Sequence, residues 1–157
     1  ERRNGVLVNR GFYDRLERVR RGAYTGEFIT PEDLERMSAT TLGRAFNESK
    51  YVRVERAGVQ RQIVLTGRSG CGYTVLLDGT RQAGILEEGI AGATSIDPRG
   101  TKALLPSTTG IEELVGGLEV VAIEVYPSAS TAPAEIQARA MGGRGSCGII
   151  AIWTGRP

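Results

Sequence analysis

The 157 residues include no histidine. Ser-His-Asp and Cys-His catalysis, imidazole-ligated zinc or iron, and any unperturbed side chain titrating near neutrality are therefore excluded. Cysteine occurs twice and aromatic residues make up 6%, so neither a dense disulfide framework nor a large aromatic surface is available. No apolar run approaches the roughly 20 residues that a membrane-spanning helix needs, and no cleavable signal sequence stands at the start. These absences argue against an ordinary hydrolase or metalloenzyme and for a soluble or membrane-extrinsic chain. The sequence starts at Glu1 instead of Met, which reads as a processed chain or as part of a longer one.

What is present suits one compact domain. Apolar residues reach 40%, and 20 basic residues face 18 acidic ones, a net charge of +2. That is enough material for a core, without the signature of disorder. The charge is uneven, because residues 1–21 hold seven arginines against three acids, a net of +4. Arg10, Arg15, Arg18, Arg20 and Arg21 are the candidate partner-binding residues of this basic arm (1–23), with phosphate, a lipid headgroup or an acidic protein face as the class of partner. A solvated Arg-rich helix is the other reading of the same residues.

Within the arm, Phe12, Leu16 and Val19 recur at helical spacing after Gly11, and Gly22 closes the segment. Thr30-Pro31-Glu32-Asp33 is a helix start, with a capping hydroxyl, a proline suited to the first turn and two acids at the positive end of the dipole. A second short helix is expected over Thr40–Phe46. The period then becomes alternating, which predicts strands over 51–55, 63–65, 74–77, 120–126 and 149–154. Residues 80–110, with scattered glycine and no clear period, are expected to be a long loop with one helical turn near 85–88, and helical spacing resumes at 111–115. Short strands mixed with short helices predict an α+β domain over 24–157.

The motifs that resemble chemical signatures do not survive their context. Gly143–Gly148 fits G-x-G-x-x-G, but an apolar strand follows it where a phosphate-binding helix would have to start. Gly67–Gly72 lacks the Lys and Ser/Thr of a phosphate loop, and Asn47-Glu48-Ser49 is a sequon of the kind that arises by chance. The acidic pairs Glu32/Asp33, Glu87/Glu88 and Glu112/Glu113 are sequence neighbours, so on a helix they diverge instead of converging on one substrate atom. Cys71, between Gly70 and Gly72, and Cys147, between Ser146 and Gly148, are each followed by a glycine at a strand start. That matched context reads as a disulfide, with free thiols as the other reading, and a bond would place the protein outside the cytoplasm. No catalytic residue, cofactor, metal or small-molecule substrate is expected.

The order of Phe28-Ile29-Thr30-Pro31-Glu32-Asp33-Leu34-Glu35, Val75-Leu76-Leu77-Asp78-Gly79, Ile123-Glu124-Val125-Tyr126 and Gly148-Ile149-Ile150-Ala151-Ile152-Trp153-Thr154 resembles the plug domain of TonB-dependent outer-membrane receptors, over about residues 24–154. Gly11-Phe12-Tyr13-Asp14-Arg15 resembles a subgroup in which a plug-like domain follows a small β-sandwich. The sequence departs from that family in showing no TonB box near its start and no barrel within its 157 residues. The resemblance implies a periplasmic α+β fold that buries itself against a larger membrane protein. The expected function is thus a non-enzymatic, membrane-extrinsic subunit that docks on an integral membrane complex, with contact to the membrane surface and none to nucleic acid. An extrinsic stabilising subunit of a bacterial photosynthetic reaction-centre and light-harvesting complex is the particular assembly considered, and the plug of a TonB-dependent transporter is the alternative.

Overall fold

The computed structural model describes residues 3–57, 62–82, 94–96, 102–104, 115, 118–143, 145 and 147–155. The chain runs through α1 (Gly5–Asn9), α2 (Phe12–Arg20), β1 (Glu27–Ile29), α3 (Pro31–Arg36), α4 (Leu42–Ala45), β2 (Arg53–Ala57), β3 (Gln62–Thr66), β4 (Tyr73–Leu77) and β5 (Thr80–Arg81). It continues through β6 (Thr94–Ile96), β7 (Lys102–Leu104), β8 (Val120–Tyr126), a 3-10 turn (Ala129–Thr131), α5 (Ala134–Arg139) and β9 (Gly148–Thr154). This is an α+β fold.

One mixed sheet organises it, with strand order β1-β8-β9-β4-β5 and β4 and β9 parallel. All seven residues of β9 are buried, as expected of a central strand covered on both faces. On one face, Ile123, Val125, Ile150, Ile152, Tyr73 and Val75 pack against α3, α4 and the β2–β3 hairpin. On the other, Ala122, Tyr126, Ile149, Ala151 and Trp153 pack against α1, α2 and α5 through Leu7, Phe12, Leu16 and Ile136. The strands therefore carry two interleaved apolar sets, one for each layer.

Local chemistry sets the element ends. Asn4 caps α1 by accepting from the Val6 and Leu7 amides, and Thr30 and Asp33 form a reciprocal capping box at α3. Gly148 opens β9 at φ 152°, where a Cβ would lie 1.9 Å from the Tyr126 carbonyl oxygen, so only glycine fits.

Two expectations are corrected. The segment 1–23 is not an arm apart from a domain at 24–157. Its α1 and α2 contribute Leu7, Phe12, Tyr13 and Leu16 to the core, because a helix with an apolar face beside an otherwise open sheet face gains most by covering it. Residues 80–110 are not wholly loop either, since β5 extends the main sheet and β6 pairs antiparallel with β7. The expected turn at 85–88 and the helical residues 111–114 lie outside the described residues.

Candidate docking site

The arginines of the N-terminal segment divide sharply. Arg15 leaves the inward side of α2 at 3% exposure and meets Glu124, whose side chain is fully buried on the same face of the sheet. The pair is bidentate, with Arg15 Nε donating to Glu124 Oε1 and Arg15 Nη2 to Oε2, both at 2.7 Å. Trp153 Nε1 donates to Oε2 at 2.6 Å, the Tyr126 hydroxyl donates to Oε1, and Arg15 Nη1 donates to the Arg10 carbonyl at 2.9 Å. Burial alone would lower the guanidinium pKa, but the facing Glu124 more than reverses this and holds Arg15 above its usual value. Burial, reinforced by the Glu124 carboxylate, raises the Tyr126 phenol well above its ordinary range. Such a cluster is a structural pin, and Arg15 is not the partner-binding residue that the sequence suggested.

Arg10 is half-buried, donates Nη1 to the Asp78 carbonyl at 3.1 Å and lies over the Trp153 ring. Arg18 bridges to Glu135 on α5 and to Asp14 one turn back. Burial pushes the Glu135 carboxyl up, yet its own backbone amide and Arg18 hold it below the usual carboxylate range. Arg20 and Arg21 are exposed at the C-terminal end of α2 and make no ion pair among the described residues. Of the five candidates, these two present their charge outward.

Cys71 and Cys147 form a disulfide with Cα atoms 5.4 Å apart. It ties the turn before β4 to the start of β9, where Tyr73 and Gly148 are in register. Gly67, four residues before Cys71, leaves room for the bond, because a Cβ there would fall 2.1 Å from Cys147 Sγ. Among the described residues no group of three or more His, Cys, Asp or Glu is placed to hold a metal, and no helix is long and apolar enough to cross a membrane.

A second feature had no signal in the sequence. A groove of about 870 Å³ runs along the end of β8, walled by α3, α4 and the residues joining them. Pro31, Leu34, Leu42 and Val120 give it an apolar lining, Thr40 and Thr41 a polar one, and Glu35 and Glu119 are the charged residues that line it among the described residues. It forms because β1 stops at Ile29, opposite Ile123, and the Thr30 capping box turns the chain into α3. The edge of Val120–Ala122 on the β1 side is consequently paired with no strand among the described residues.

No protein-family model matches the chain, and no curated protein matches it. Among solved structures, the chain is similar to the ferric yersiniabactin uptake receptor FyuA from Yersinia pestis, at 15% identity and a TM-score of 0.47 over 86% of this chain. It spans 17% of that receptor's length.

Proposed function

We propose that the chain is a non-catalytic docking domain of plug-like build that beds against a larger membrane protein from the periplasmic side. One observation carries this reading: Arg20, the last residue of α2, and Arg21, its C-cap, stand exposed at the end of a helix fixed to the core by the buried Arg15–Glu124 pair. With the helix backbone already fixed, meeting carboxylates or phosphates needs no backbone ordering, and the planar guanidinium forks suit bidentate contact. The motif order over residues 28–35, 75–79, 123–126 and 148–154 supports the plug of a TonB-dependent transporter as a second reading. No feature of the structure selects a photosynthetic assembly among membrane complexes.

The test is recovery of the tagged protein with native membranes. The wild type is expected to co-purify with a defined membrane complex at low salt and to be released as salt rises. Arg20→Gln with Arg21→Gln should abolish recovery while leaving the unfolding midpoint close to wild type, since both side chains are exposed. Recovery unchanged by the double substitution would sink the role of this face.

A further inference from the structure

We propose that the groove beside β8 takes an extended, cationic and apolar peptide segment, which adds as a strand to the edge at Val120 and Val121. Three observations converge on that occupant. The first is the direction in which the groove looks. Val120 packs with the layer of α3 and α4, while Val121 packs with the layer of α1 and α2, and both line the groove. A hollow lined by consecutive strand residues belonging to opposite faces opens on the edge of the strand, where backbone donors and acceptors lie, and not on either face.

The second observation is the interrupted sheet. β1 pairs with β8 through Glu27↔Val125, Phe28↔Glu124 and Ile29↔Ile123 and then departs. Ala122 is fully buried, so an added segment would run on the β1 side of β8 beside Val120 and Val121, about 7 Å or two residues at strand rise. Strand addition of this kind takes its affinity from main-chain hydrogen bonds and its specificity from pockets for alternate side chains. Leu34, Leu42 and Val120 supply the apolar pocket.

The third is charge. Glu35 and Glu119 are both exposed, and neither forms an ion pair among the described residues. Among the described residues no cation lines the groove. An acidic peptide would be repelled, whereas lysine or arginine on alternate positions meets two free carboxylates. This inference stands apart from the Arg20 and Arg21 face, which has the opposite sign, and does not rest on it.

The probes are short fluorescent peptides offered to the full chain and followed by anisotropy. One alternates lysine with valine, a second alternates glutamate with valine, and a third keeps the lysines but replaces the central valines with proline, which lacks the amide donor. Saturable binding of the first, with at least about tenfold weaker binding of the other two, is the expected result. Glu35→Lys with Glu119→Lys should weaken the first peptide by about tenfold or more, and Thr40→Trp should block it by filling the groove from an exposed loop position. Arg20→Gln with Arg21→Gln should leave it unchanged, so that failure of the groove and failure of the arginine face are told apart. Equal binding of the proline peptide would overturn strand addition, because charge alone would then suffice. Sedimentation showing a dimer that Glu119→Lys dissociates would also overturn the proposal, since a second copy would then occupy the edge.

Discussion

The helical layer on one face of the sheet and the groove at the end of β8 treat acidic residues in opposite ways. Glu124 is wholly enclosed and receives donors from Arg15, Trp153 and Tyr126, while Glu35 and Glu119 are exposed and form no ion pair among the described residues. A buried charge is tolerable only when its lone pairs are fully occupied, so the first arrangement fixes geometry and leaves nothing for a partner. The exposed carboxylates cost the fold almost nothing and keep their full capacity for an incoming cation. The difference separates scaffold from surface: the arginines and glutamates that hold this protein together are those that cannot serve in docking.

The sharpest way to break the comparison is to remove one acid from each region. Glu124→Ala leaves a buried guanidinium, an indole N–H and a phenol without their acceptor, and is expected to destabilise the fold by about 3–5 kcal/mol. Glu119→Ala should stay within about 0.5 kcal/mol of wild type. Urea unfolding followed through Trp153, the single tryptophan and itself 1% exposed, would measure both. Equal, small effects from the two substitutions would show that the Glu124 cluster is not a pin.

The disulfide sharpens the comparison differently, because it lies at the end of the central strands and serves both layers. Cys71→Ser with Cys147→Ser opens a loop with a sequence separation of 76, and a loss of roughly 2–4 kcal/mol is expected. The β4–β9 register should survive, since Tyr73–Leu77 pairs with Gly148–Ile152 along its whole length. Thiol labelling of the denatured, unreduced wild type should detect no free cysteine, and two labelled thiols would refute the bond.

Much of the frame was legible in the sequence. The strands at 74–77, 120–126 and 149–154 stood out as apolar runs bounded by glycine and proline, and Thr30–Asp33 announced α3 through its cap chemistry. The pairing of Cys71 with Cys147 was readable from the glycine and apolar strand that follow each of them. Arg15 was not singled out from its neighbours, because its partner lies 109 residues away and no local pattern reports such a contact. A faint signal was present on the other side: Glu124 is the only charge inside the apolar run Val120–Tyr126, and a lone carboxylate in a central strand demands a buried cation. β1 and α5 escaped because each is too short for its period to show. The groove had no signal, since it arises from where β1 ends relative to β8, a tertiary register that sequence spacing does not encode.

Two tyrosines provide the smallest and most selective test, one on each face of the sheet. Tyr73 packs on the hairpin side, where burial, with smaller contributions from Glu27 and Tyr51, pushes its phenol up to about 12. Its hydroxyl donates to the Tyr51 carbonyl at 2.8 Å. Tyr126, on the helical side beside Glu124, is raised further still in direction. In the unfolded chain both ionise near 10. Because the folded values are raised, each tyrosine contributes its full stability below pH 10, and that contribution is lost as pH rises from 10 toward the folded pKa, at about 1.4 kcal/mol per pH unit. For Tyr73 the loss ends near pH 12, whereas for Tyr126 it continues beyond. Tyr73→Phe gives up the bond to Tyr51, about 1 kcal/mol at neutral pH, but frees the fold from this titration. The wild-type advantage over Tyr73→Phe should therefore vanish within about one pH unit above 10 and reverse in sign by pH 12, and the comparison cancels every titration that the two proteins share. A gap that stays constant across that window would mean that Tyr73 ionises equally well in both states, and that the hairpin face does not exclude water as the helical face does.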